Sequence, residues 1–286
     1  MPCEYRGMDQ FAHLLESARP TAIGMTFGFA FMTALELLIP RTKQSAAGRI
    51  QGLFFWILWI PATAISFAAF RALWAAIGIP PLIVLPLDFS WAGVLAAAVL
   101  APLAGAFVGD FFFYWFHRGQ HAFFWRFHAV HHSIRDMNAV NAFHHPSEGV
   151  IQALLYLLPT SLIVADTGPA VPMMTVLIYF QASFIHSPAA IHLGPLRHVL
   201  VDNRFHRIHH SLQEEHFDRN FGAFTTFWDR LFGTAWWPAR EEWPDTGLAE
   251  VDQPRNVREW VTLPWRFGRP EARPVPELPD SPAMVQ

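Results

Sequence analysis

Apolar and polar stretches alternate along this chain on the length scale of a lipid bilayer. The first 19 residues are mixed and polar, without the basic, apolar and small-residue succession of a cleaved leader, so no removable signal peptide is expected. An apolar run at 21–39 then has about the ~20 residues that a membrane-crossing helix requires. Arg41, Lys43 and Arg49 follow it, and residues 52–79 form a second apolar segment with Pro61 as a predicted kink and Arg71 as its one charge. A loop with Pro80, Pro81, Pro86 and Asp88 but no Lys or Arg leads to a third run at 91–116, which opens into a basic, histidine-rich stretch at 117–148. Two shorter apolar segments, 149–165 and 170–185, flank a turn at 166–169 and return the chain to Arg197, Arg204 and Arg207.

This pattern predicts an all-α, multi-pass bundle of 4–5 spans: the strict count is five, and with Glu36 inside the first run and 149–185 short enough for a re-entrant hairpin, four is the other count allowed. The excess of Lys and Arg in alternate loops places every histidine-rich stretch on the cytoplasmic side, as a helical cap. From Trp237 onward the chain turns polar and rich in proline, and a disordered end is expected. The expected division is a polar segment at 1–20, a membrane-embedded domain at 21–236 with its motifs at 110–234, and a tail at 237–286.

Composition agrees with the bilayer as solvent: 52% of the 286 residues are hydrophobic, only 15% are charged, and the mean hydropathy is +0.23. A net charge of −3 lacks the basic footprint of a nucleic-acid partner. Cys3 is the single cysteine, which excludes an internal disulfide and cysteine-built zinc or iron–sulfur sites within one chain. The anomaly is histidine: fourteen of fifteen fall between His117 and His216.

His117 and His121 are spaced to share one helical face, and Asp110 and Tyr114 extend the same stripe. A carboxylate at that depth needs a partner, and the far nitrogen of a ligand imidazole is one. His128, His131 and His132 read H-x-x-H-H, and His206, His209 and His210 repeat the pattern. Eight imidazoles exceed what one structural or catalytic zinc uses, so the count implies two metal ions, although imidazole serves zinc, copper, iron and nickel alike. Neither H-E-x-x-H nor H-x-x-E-H occurs, against a zinc protease. A metal transporter would hold its ligands near the bilayer midplane, whereas these histidines lie at or beyond the ends of the apolar runs.

These three motifs, in a hydrophobic chain of this size, resemble the fatty acid hydroxylase and sterol desaturase superfamily. The flanks agree: Trp125 before His128, His145-Pro146 with Glu148, His186-Ser187, Asn220-Phe221-Gly222, and the run from Trp228 to Thr234. The resemblance implies a two-iron site ligated by the eight histidines with His186 as a ninth, and O2 as co-substrate. It implies oxidation of a C–H bond in a membrane lipid, whether sterol, fatty acyl chain, ether lipid or carotenoid, by hydroxylation or desaturation. The chain has no nucleotide-binding glycine motif and no haem-attachment sequence, so a ferredoxin or a b-type cytochrome with its reductase is the implied electron donor. Phe143 stands where the family often has an arginine two residues before His145, and Ala182 where it sometimes has a histidine four residues before His186, the second of which leaves one iron a position for water. Asp110, His145, Glu148, Asp202 and Asp218 are the expected orienting groups beside the ligands, His145 being equally a candidate ligand itself. His144, His192, His198 and His216 are expected at the surface. Beyond the metal centre no catalytic residue is assigned, and the other readings left open are a histidine-rich metal transporter, a zinc-dependent hydrolase and an inactive scaffold.

Overall fold

A computed structural model describes residues 3–166 and 171–267. Its long helices follow the apolar runs: α1 (Cys3–Leu38), α2 (Ala46–Ile77) and α3 (Val94–Phe123). Ser45 starts α2 by accepting the Gly48 N–H at 2.8 Å, and Gly78, at φ 72°, ends it in the left-handed region. Pro61 sits inside α2 and Pro102 inside α3. Both helices are long and apolar enough to cross a membrane, with mean hydropathy 1.9 in each. Only 22% and 28% of these windows are buried, so most of their apolar surface faces outward, unlike the core helix of a soluble protein.

At Phe124 (φ −125°, ψ 21°) the chain leaves the helical path, and α4 (Trp125–His132) follows, bringing His128 to His117 and His132 to His121. A further helical stretch comprises α5 (Glu148–Gln152), a π-helical turn at Ala153–Leu157 and α6 (Leu158–Leu162). Then come α7 (Val171–Ile185), α8 (Asn203–His209), α9 (Phe227–Leu231) and α10 (Val257–Thr262). Helix α7 packs closely on α1, because a Cβ at Gly28 would come 2.5 Å from Ser183 Oγ.

The architecture is mostly helical, with one departure from the expected all-α pattern. Strands β1 (Ile83–Pro86) and β2 (Ile163–Asp166) pair in parallel, Ile83 opposite Ile163. Both are short, partly β-branched segments at the ends of apolar runs, and together they join the two loops that carry no basic residue.

The segment that composition assigned to a tail folds back onto the body as far as Phe267. Trp260 and Leu263 are buried in a core with Phe55, Trp59, Val130 and Phe143. Gln51 and Gln253 bond at 2.8 Å, Arg135 pairs with Asp252 at 3.0 Å, and the Arg207 Nε–H donates to the Pro244 carbonyl at 2.6 Å. Arg41 and Arg207 both lie over the Trp243 ring, 4.8 and 4.4 Å from its centroid. The proline-rich stretch beyond, where disorder is expected, lies outside the described residues, as does much of the turn at 166–169.

Candidate metal centre

The ends of four helices carry the clustered histidines. The last turns of α3 supply His117 and His121, α4 supplies His128, His131 and His132, the residue after α7 is His186, and α8 with its C-terminal flank supplies His206, His209 and His210. Spacings of three and four residues turn each set toward the same centre. The ring nitrogens fall into two adjacent groups: His117, His121, His128, His132 and His209, and then His131, His186, His206 and His210. Within each group the atoms lie within 4.8 Å of one another, and either group could hold a metal ion.

Hydrogen bonds fix the tautomers. Nδ1 of His117 donates to the Phe221 carbonyl (2.8 Å), that of His131 to Phe143 (3.3 Å), that of His186 to Ala182 (2.7 Å) and that of His209 to Arg219 (2.8 Å). His121 donates to Asp218 Oδ1 at 3.0 Å. Carbonyls and carboxylates only accept, so each of these five rings carries its hydrogen on Nδ1 and a lone pair on Nε2. The Nε2 atoms of His131 and His186 nevertheless face each other at 3.2 Å. Two lone pairs at that distance repel, and a cation between them reverses the sign of the interaction. His209 Nε2 is buried without a protein partner, as are Nδ1 of His128, His206 and His210. This donor set fits a metal pair better than a hydrogen-bonded core.

Burial, then the neighbouring imidazoles, holds His128, His131, His132, His206, His209 and His210 well below the usual histidine pKa. They are therefore neutral, the ligating form. Aromatic rings of Phe113, Trp125 and Phe221 border the groups and keep their surroundings apolar.

The orienting carbonyls are themselves held in place. Asp218 and Asn220 adopt left-handed φ values of 56° and 58°, which Asp and Asn tolerate, and the resulting kinks aim the Arg219 and Phe221 carbonyls at their histidines. Asp229, fully buried, accepts the N–H groups of Phe221 and Gly222 at 2.8 Å each and the Thr234 hydroxyl at 2.7 Å. A side chain at Gly222 would come 2.6 Å from the Thr225 carbonyl.

Among the expected orienting groups, only Asp218 bonds a clustered imidazole directly. Asp110 instead accepts backbone N–H groups of Ala223, Phe224 and Thr225 at 3.0, 2.8 and 2.8 Å. Asp202 caps α8 by accepting the Phe205 N–H at 2.8 Å. His145 lies outside both groups, accepting the Ser147 N–H at 3.1 Å and donating to the Val261 carbonyl at 3.2 Å. Glu148 is buried beside Gln120 and His144.

His192 and His198 are exposed as expected, whereas His216 is buried and His144 half-buried. His216 contacts Ser211 Oγ at 2.9 Å and Glu242 at 3.0 Å. His144 stacks on His131 at 4.0 Å, and burial, then His186, lowers its pKa to about 3. Its adjacency to His145 was the one sequence signal for it.

A mostly helical chain with two apolar helices and a buried polyhistidine centre is the class that fold and site define. Residues 102–234, a little under half of the chain, match the fatty acid hydroxylase family, and the relatives it resembles support a place for this region in the fatty acid hydroxylase and sterol desaturase superfamily. It is 33% identical over 132 residues to a human alkylglycerol monooxygenase, a match covering 45% of this chain and 29% of that protein. It is 35% identical over 173 residues to a Delta(7)-sterol 5(6)-desaturase of Aspergillus fumigatus, covering 57% and 47%. An ornithine lipid hydroxylase of Rhizobium tropici is 29% identical over 147 residues, covering 50% and 44%. The chain thus spans less than half the length of each of these relatives. No solved structure matches it.

Proposed function

We propose that this chain is a multi-pass membrane oxidoreductase that holds two iron ions and uses O2 to oxidise a C–H bond of a membrane lipid, by hydroxylation or desaturation. The observation carrying this reading is the pair of adjacent imidazole groups, with five and four ring nitrogens. One iron belongs to His117, His121, His128, His132 and His209, and the other to His131, His186, His206 and His210. The smaller group leaves its ion a position for water. Imidazole alone does not select iron; the names of the relatives, a monooxygenase, a desaturase and a hydroxylase, favour it. When bound, iron supplies the O2 chemistry that side chains lack.

The chain's own residues have narrower tasks. Burial keeps the imidazoles neutral, the carbonyls of Ala182, Phe143, Arg219 and Phe221 set ring orientation, and the surrounding aromatics exclude water. Under this reading the domain spans residues 21–236 between a polar segment at 1–20 and the C-terminal part at 237–286, crosses the bilayer 4–5 times and turns its centre to the cytoplasm. A ferredoxin or a b-type cytochrome with its reductase supplies the electrons there.

Elemental analysis of the detergent-purified chain, beside a His131→Ala, His209→Ala double variant, tests the reading. Near two irons per chain, lost in the variant, is the expected result, followed by lipid oxidation with a reductase system. Zinc at that occupancy, with no oxidation after iron loading, would overturn it in favour of a zinc hydrolase or a metal transporter.

A further inference from the structure

His128 belongs to the five-histidine group through Nε2, which lies 3.0 Å from Nε2 of His117. With Nε2 ligating a metal ion, Nδ1 carries the ring hydrogen, and that buried atom has no hydrogen-bond partner among protein atoms. Nδ1 of His144 is also buried and unpartnered. It lies 3.7 Å from Glu148 Oε1, too far for a direct hydrogen bond. Glu148 is 3% exposed, and both its oxygens accept from Gln120 Nε2, at 2.8 and 2.9 Å, each retaining a further lone pair.

A ring nitrogen of His128, one of His144 and a carboxylate oxygen of Glu148 lie within 4.8 Å of one another. A single oxygen placed centrally among atoms so spaced is within about 2.8 Å of all three, an ordinary hydrogen-bond length. Other polar atoms of neighbouring residues, Gln120 Oε1, Thr63 Oγ1 and Trp59 Nε1, are likewise buried without partners. Trp59 reaches this region because its ring centroid is 6.0 Å from that of His144. Thr63 backs Gly149, where a Cβ would come 2.8 Å from the Thr63 Cα.

We propose that a buried water molecule bridges Nδ1–H of His128, Nδ1 of His144 and the carboxylate of Glu148, which makes Glu148 the positioning residue for His128. Water accepts from the first and donates to the other two, so all three groups are satisfied. A third metal ion in the same place would need His128 to bind through both nitrogens and lose its ring hydrogen. Glu148 thus orients the imidazole and raises its basicity from a distance, as carboxylates do for metal-bound histidines. The inference rests on the metal reading above.

Cobalt(II) is the probe, loaded into the detergent-purified full chain, with release to a chelator followed in its visible absorption bands. The variants are Glu148→Gln, which keeps shape, and Glu148→Asp, which keeps charge. In Glu148→Gln one of the two cobalt ions should leave about 10- to 100-fold faster than in the wild type, with its bands shifted, while the other is unaffected. Glu148→Asp should fall between them, and it serves alone if the first variant does not fold. Release of both ions at the wild-type rate, or of both equally faster, would overturn the inference while leaving the metal reading intact. Three cobalt ions per chain, reduced to two by Glu148→Gln, would replace the water by a cation. A wild-type chain that takes up neither cobalt nor iron would sink the metal reading and this inference together.

Discussion

Asp110 accepts both the backbone N–H of Thr225, at 2.8 Å, and its hydroxyl, at 3.0 Å, across 115 residues of chain. The same carboxylate takes the N–H groups of Ala223 and Phe224, so it pins to α3 the loop whose Phe221 carbonyl orients His117. Asp110→Ala leaves these buried donors without partners, at about 1–3 kcal/mol each. We expect a loss of stability of at least about 3 kcal/mol, together with lower metal content. Asp110→Asn, which retains one carbonyl oxygen, should lose less of both. Thermal unfolding in detergent beside elemental analysis checks the pairing; a variant that melts as the wild type does would refute the pinning role.

The two imidazole groups have separate members, and single variants should separate them. His209→Ala removes a donor from the five-histidine group and His186→Ala one from the four-histidine group. Each should leave the chain near one tightly held iron where the wild type holds two. Loss of both ions from either variant would mean that the two groups act as one site.

The convergence of the eight motif histidines was legible because spacings of three and four residues turn imidazoles to one side of a helix. His186, isolated in sequence, was legible only through the resemblance. The groups that orient the rings were mostly hidden, since Phe143, Ala182, Arg219 and Phe221 act through carbonyls, which every residue possesses. Asp110 was recognised as a buried carboxylate in need of a partner, but the partner is a loop beyond residue 220 instead of an imidazole. The apolar runs located the long helices, whereas β1 and β2 are too short to announce themselves and depend on each other for pairing. Local polarity likewise concealed the docking of Trp260, which depends on a core built mainly from distant segments.

Protonation should work against this centre. His128, His131, His132, His206, His209 and His210 have pKa values held well below the histidine norm, chiefly by burial. Above about pH 6.5 both folded and unfolded chains carry these rings neutral, and the groups add no pH dependence. Below it the unfolded chain binds protons that the folded chain resists, so stability falls as pH falls, and metal is released in the same direction. Unfolding temperature and retained metal, followed from pH 8 to 5, should both be level at first and then decline. Iron kept undiminished at pH 5 would contradict the neutral-ligand assignment.

Trp260 connects the C-terminal segment to the centre. Its ring packs 4.9 Å from Phe55, and its Nε1–H donates to the His144 carbonyl at 2.8 Å. Phe55 in turn lies 4.4 Å from Phe143, whose carbonyl accepts from His131. Trp260→Ala removes a buried indole and leaves a cavity, a change that costs about 3–5 kcal/mol in well-packed cores. Because the neighbours of the cavity hold His144 and His131, the variant should also release the metal of the four-histidine group faster than that of the five-histidine group. Trp260→Phe refills most of the volume without the N–H donor, and should recover stability more fully than it recovers metal retention. Equal recovery of the two would assign Trp260 to packing alone and remove the His144 carbonyl bond from the account of the site.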